Sequence, residues 1–209
     1  MFNFKKDKGI TVIGVSGKKG AGKDMFFNHV KAMAPNAKRV AFADYLKHIT
    51  RQQFGLSIDQ TDGNLKEKST KYVKVNPSPF SKDIPLVYWT PREIMIDLGQ
   101  FYRSIDPLFW VNKAFQVIKS YPQRTIAVIT DVRFENEADL IKGYGGTMVR
   151  LQRSNKMREG VYPGCSNDTD ISETSLDNYE KFDFIVPENR NENPQQLMQE
   201  TEKIFQKII

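Results

Sequence analysis

The 209 residues contain one cysteine, Cys165, so the chain can build neither an intrachain disulfide framework nor a cysteine metal cluster. This scarcity points to a reducing compartment. Histidine is almost as rare: His29 and His48 both fall inside helical patterns. No Ser–His–Asp or Cys–His arrangement stands out, so nucleophilic hydrolysis lacks its parts. No apolar run approaches the ~20 residues needed to span a bilayer. The basic start, Lys5-Lys6-Asp7-Lys8, precedes a short apolar run as in a secretory leader. That run flows straight into the chain's best motif, so no cleaved leader is expected. Internal repeats and low-complexity tracts are missing too. Acidic residues do not balance basic ones, and the net charge is +6. Lysine and arginine are nevertheless spread along the chain, which suits a polyanionic ligand and not a nucleic-acid-binding stripe. A hydrophobic content of 39% is enough for one good core. One α/β domain covering residues 1–209 is expected, with an insertion at about 57–89 and a flap at about 153–170.

What is present is a glycine-rich loop in a telling place. The β-branched run Ile10-Thr11-Val12-Ile13-Gly14-Val15 is followed by Gly17-Lys18-Lys19-Gly20-Ala21-Gly22-Lys23-Asp24-Met25, and then by a helical pattern to Met33. Strand, glycine-rich loop and helix are the context that a phosphate-binding P-loop requires. Glycines let backbone N–H groups turn around phosphate oxygens where a Cβ would crowd the anion. The helix N-terminus adds partial positive charge and Lys23 adds a whole one. Asp24 stands where a serine or threonine usually ligates Mg²⁺. It reads either as a ligand to the metal or its water, or as a first-turn acid that favours the helix dipole.

Five apolar runs read as strands: 10–16, 38–42, 125–130, 147–151 and 182–186. Between them lie helices. Asp44 is placed to cap one that runs to Phe54 and stops at Gly55. Thr90-Pro91-Arg92-Glu93 is a capping box with proline at the first helical position. Asp106-Pro107 starts a helix to about Ser120, and another runs from Phe134 to Lys142. Asn193-Pro194 opens the last, with Leu197, Thr201, Ile204, Phe205 and Ile208 at helical spacing. Alternating strands and helices predict an α/β fold, a parallel sheet with helices on both faces. Two stretches break the rhythm. Residues 57–89 carry Pro77, Pro79 and Pro85 with little apolar periodicity. Residues 153–170 are polar and read as a flap.

Asp131 ends the third strand run, where an acid at a strand tip beside a P-loop can hold Mg²⁺ or its waters. The competing role is a helix cap, with Arg133 paired to Glu137. Arg92, Arg103, Arg133, Arg150, Arg153 and Arg158 lie mostly at strand ends or helix starts, and guanidinium forks match phosphate oxygens. Phosphoryl transfer needs positioning and charge neutralisation more than covalent help. An acceptor that is already a phosphate needs no general base, which fits the missing histidine chemistry.

In four blocks the chain resembles the phage deoxynucleoside monophosphate kinases of the P-loop kinase superfamily. These are Ser16-Gly17 through Gly22-Lys23-Asp24; Phe42-Ala43-Asp44-Tyr45-Leu46-Lys47; Thr90 through Leu98-Gly99, Arg103, Asp106-Pro107 and Trp110-Val111; and Asp131 through Ala138, then Gly145-Gly146, Arg150 and Ile171-Ser172-Glu173. The resemblance implies the α/β P-loop NTPase fold with a five-stranded parallel sheet and helices on both faces, ATP and Mg²⁺ as cofactors, a deoxynucleoside monophosphate as acceptor, no nucleic-acid or membrane partner, and a cytoplasmic setting, with a homodimer as one option. Lys23, Arg133, Asp131 and Arg153 would be catalytic. Residues 17–25 would hold the donor, with Asp24 and Asp131 on the metal. Asp44, Lys47, Arg92, Arg103, Trp110, Arg150 and Glu173 would face the acceptor. Met25, Ile96 and Asp170 depart from residues common in that family. Animal-type phosphomevalonate kinases share much of the layout and stand as an alternative, as does a P-loop protein that binds nucleotide without transferring phosphoryl.

Overall fold

In the computed structural model, which describes residues 3–74, 87–161, 163–165 and 169–209, the apolar runs become one parallel sheet. Its strands are β1 (Thr11–Ser16), β2 (Ala37–Val40), β3 (Ile126–Ile129), β4 (Thr147–Leu151) and β5 (Phe184–Val186), in the order β2-β3-β1-β4-β5. β1 lies in the middle, with Thr11 opposite Ile126 of β3 and Ile13 opposite Thr147 of β4. Such strands are buried on both faces, which explains their continuous apolar runs. Ile13, Val15, Val128, Val149, Leu151 and Val186 face one core, against α2 (Lys23–Met33) and α10 (Pro194–Ile208). On the other face Gly14 leaves room for Met148 and for Ile141 of α7 (Glu135–Gly143).

The chain forms two compact units. The first contains the sheet and comprises Met1–Phe42 with Val111–Ile209; the second is Ala43–Trp110. In the first, a helix not anticipated from sequence, α1 (Phe4–Lys8), is capped by Asn3 and stopped by Gly9 at φ +59°. Phe4 is 1% exposed and meets the rings of Phe115 and Tyr144 edge-on. Burying such a ring is worth about 1.5–3 kcal/mol, enough to fix one turn of helix too short to form alone.

Helix α3 (Phe42–Phe54) begins earlier than expected. The Asp131 carboxylate accepts the Phe42 N–H at 2.8 Å, so the cap comes from the end of another strand. The expected strand 38–42 therefore stops at Val40, and Asp44 sits in the first helical turn. Gly55 at φ +60° follows the helix, as the sequence indicates. The second unit holds most of α3, then α4 (Ile58–Thr61) and α5 (Pro91–Ile105), both opened by capping boxes. α6 (Phe109–Lys119) follows, starting after Asp106 accepts the Leu108 N–H at 2.8 Å. Stretch 57–89 thus carries α4 and a bridge between Val73 and Tyr88; Pro77, Pro79 and Pro85 lie outside the described residues. Within 153–170 there is α8 (Asn155–Glu159), and α9 (Ile171–Thr174) follows. Among the described residues no helix is long and apolar enough to cross a membrane.

Candidate phosphate-binding site

Parallel strands bring their C-terminal tips to one edge, where ligands of open α/β sheets bind. Here the central strand β1 ends in the loop 17–22 and α2 starts at Lys23. Gly20 and Gly22 have φ of +81° and +95°, a region that side chains avoid. The loop is also held from outside through its carbonyls. Arg158 donates to the Lys19 oxygen at 3.3 Å, Arg153 to the Gly20 oxygen at 3.1 Å, and Asn191 to the Ala21 oxygen at 2.8 Å. The C=O and N–H of a trans peptide point in opposite directions. Anchoring the carbonyls of Lys19 and Ala21 therefore turns the N–H groups of Gly20 and Gly22 the other way.

Lys23 lies among the loop's own carbonyls, donating to the oxygens of Gly17 and Lys18. Burial, and next the charge of Arg133, lower its ammonium pKa to about 8; Glu173, Asp131 and Asp24 pull in the other direction. Glu137 acts on the Arg133 guanidinium through its charge. Glu137 also accepts the backbone N–H groups of Arg133 and Phe134, at 2.8 and 3.1 Å, and so closes the start of α7. The Arg133 guanidinium reaches Glu173 and the Ser172 carbonyl. The other Glu173 oxygen accepts the Lys19 N–H at 2.6 Å. Burial opposes ionisation of Glu173, but Arg133 and the Lys19 amide hold its carboxyl below the ordinary range. Glu173 was expected on the acceptor side; its carboxylate lies on the loop itself.

Arg150, on β4, is buried. It donates to the Ser16 hydroxyl at 3.0 Å and to Asp177 at 2.7 Å, while Lys18 meets Asp177 at 2.8 Å. Lys18, Arg150 and Asp177 line a cavity of about 340 Å³, whose wall also includes Arg153, Arg158, Tyr179 and Phe182. The Arg153 Nε is buried with no hydrogen-bond partner among the described residues. Asp24 and Asp131 are both near enough to Lys23 to act on its charge. Two carboxylates offer the hard oxygen donors that magnesium takes alongside several waters, so these residues fit that ion.

The remaining expected residues belong to the second unit. Lys47 pairs with Asp62 at 2.8 Å and Arg92 pairs with Glu67. Lys47 and Arg92 both act on Lys66, whose ammonium pKa is lowered by burial and then by these two charges. Asp44 and Arg103 are half-buried. Trp110 is a correction: it is 2% exposed, its indole N–H donates to the Gly99 carbonyl at 3.2 Å, and its ring packs on Tyr102 and Phe109. It builds an aromatic core. Asn191 was not singled out from sequence and Arg158 only as one of the arginines suited to phosphate oxygens, since each reaches the loop only through the tertiary fold.

No family model matches the chain. A curated protein of Acanthamoeba polyphaga mimivirus, described as a "Putative deoxynucleotide monophosphate kinase", is 27% identical over 197 residues, covering 87% of this chain and 90% of its own. Among solved structures, TT1252 from Thermus thermophilus aligns at a TM-score of 0.52 and 9% identity, over 97% of this chain and 100% of its own. A shikimate kinase from Acinetobacter baumannii aligns at 0.47 and 12%, over 98% and 96%. The Thermus likeness is one of fold alone, the α/β architecture that in this chain carries a five-stranded parallel sheet.

Proposed function

We propose that this chain is a kinase that moves the γ-phosphoryl group of ATP to the phosphate of a deoxynucleoside monophosphate, giving ADP and a deoxynucleoside diphosphate. The observation that carries this reading is the anchored loop with Lys23 and Arg133 beside it, in a chain alike over most of its length to the viral protein named above. In this reading the loop N–H groups and Lys23 hold the donor phosphates. Arg133 neutralises charge on the transferred group, the role that a guanidinium fork suits. Arg153 is assigned to the donor as well, because its unpartnered Nε has a hydrogen left to give. Asp24 and Asp131 would hold magnesium, which when bound offsets phosphate charge. The acceptor oxygen is an anion already and attacks without a general base. Lys47, Arg92 and Arg103 are assigned to the acceptor.

The test is ATP-dependent formation of diphosphate across the deoxynucleoside monophosphates. Turnover with at least one is expected. Silence with all of them, with the protein folded and magnesium present, would refute the assignment.

A further inference from the structure

The loop that should receive an anion already touches one supplied by the chain itself. Glu173 is nearly buried, its side chain 7% exposed. One carboxylate oxygen takes the Lys19 N–H of the loop at 2.6 Å, and the other takes the Arg133 guanidinium. Its charge also acts on Lys23. A backbone amide of the glycine-rich loop, a guanidinium and a nearby ammonium are the donor set that a phosphoryl group uses. A carboxylate is planar and singly charged, but it presents two oxygens to that set as a phosphate presents three.

We propose that Glu173 is a tethered stand-in for a donor phosphate: it keeps the loop and Arg133 arranged until a polyphosphate arrives, and the polyphosphate must expel it. The Lys19 amide has one hydrogen, so it cannot serve both anions fully, and two negative groups at that distance repel. Expulsion also releases Arg133, so the guanidinium becomes available when the donor is in place. The segment has somewhere to pivot. Leu176 is buried, and Asp177 is tied to Lys18 and Arg150 at 2.8 and 2.7 Å, so the stretch after Glu173 stays attached while the carboxylate leaves. This inference rests on the reading of the loop as the donor site.

The experiment is calorimetric binding of tripolyphosphate to the whole chain, in the wild type, Glu173→Ala and Glu173→Gln, with unfolding midpoints recorded for each. Losing the competitor should tighten binding about ten- to a hundredfold in Glu173→Ala, the worth of a hydrogen bond to a charged group. Glu173→Gln keeps the size but not the charge and should fall between, and it decides the matter if the alanine variant does not fold. A residue that merely braced the site would weaken binding when removed. Unchanged or weaker binding in folded variants, with the wild type binding, would overturn this inference and leave the kinase reading standing. No binding by any of the three proteins would overturn both.

Discussion

Lys23 carries its charge in surroundings that resist it. Its pKa is about 8 in the fold against 10.5 ordinarily, through burial and then Arg133, with Glu173, Asp131 and Asp24 opposing. Between those two values the unfolded chain binds a proton that the folded chain does not. This residue's contribution to stability therefore rises with pH across that window, and below about 8 the buried ammonium opposes folding by a constant amount. If the loop holds phosphates as proposed, they restore the charge, and binding takes up a proton at higher pH. Tripolyphosphate affinity should fall by up to about tenfold per pH unit between about 8 and 10, and stay flat there in Lys23→Ala. Titrations from pH 7 to 10 check both. In turnover, Lys23→Ala should lose at least ~10²-fold in rate, as when a main charge stabiliser is removed. Arg133→Ala should lower kcat more than it raises KM, if its guanidinium works on the transferred group; steady-state kinetics over both substrates would show a dominant KM effect if it only binds.

Element ends divide into those that sequence shows and those that it hides. At Gly22 the chain must take φ +95°, and a Cβ would lie 3.0 Å from Leu197 of α10. Gly22→Ala should destabilise the protein by about 1–2 kcal/mol, from the left-handed backbone alone, in urea unfolding. Thr90→Ala should cost about 1 kcal/mol by removing the α5 cap. Thr90 and Asn193 were legible as caps, and Gly55 as a stop, because each acts within a few residues of itself. The start of α3 was not, because Asp131 reaches Phe42 across 89 positions. The same holds for Arg158 and Asn191, whose partners in the loop are 139 and 170 positions away. Glu173 was named from sequence for the acceptor side, and its bond to the loop was not legible, since that needs α9 folded back onto residue 19. Spacing shows which residues can make a motif; it does not show what closes over them.

For the molecule as a whole, an excess of positive charge and the anion site proposed in the larger unit would make folding and ligand binding interdependent. A ligand that binds only the folded form at a hundred times its Kd adds about 2.7 kcal/mol, or roughly 5–10 °C in Tm for a chain of this size. MgATP should raise the melting midpoint by that order and adenosine should not, as differential scanning fluorimetry can record. The tie from Asn191 to the Ala21 carbonyl has a consequence in time. A ribosome delivers residue 191 only 170 positions after residue 21. Until then the nascent loop has neither this tether nor the cover of α10. A ligand of the loop can therefore help the polypeptide settle only once that stretch has been made.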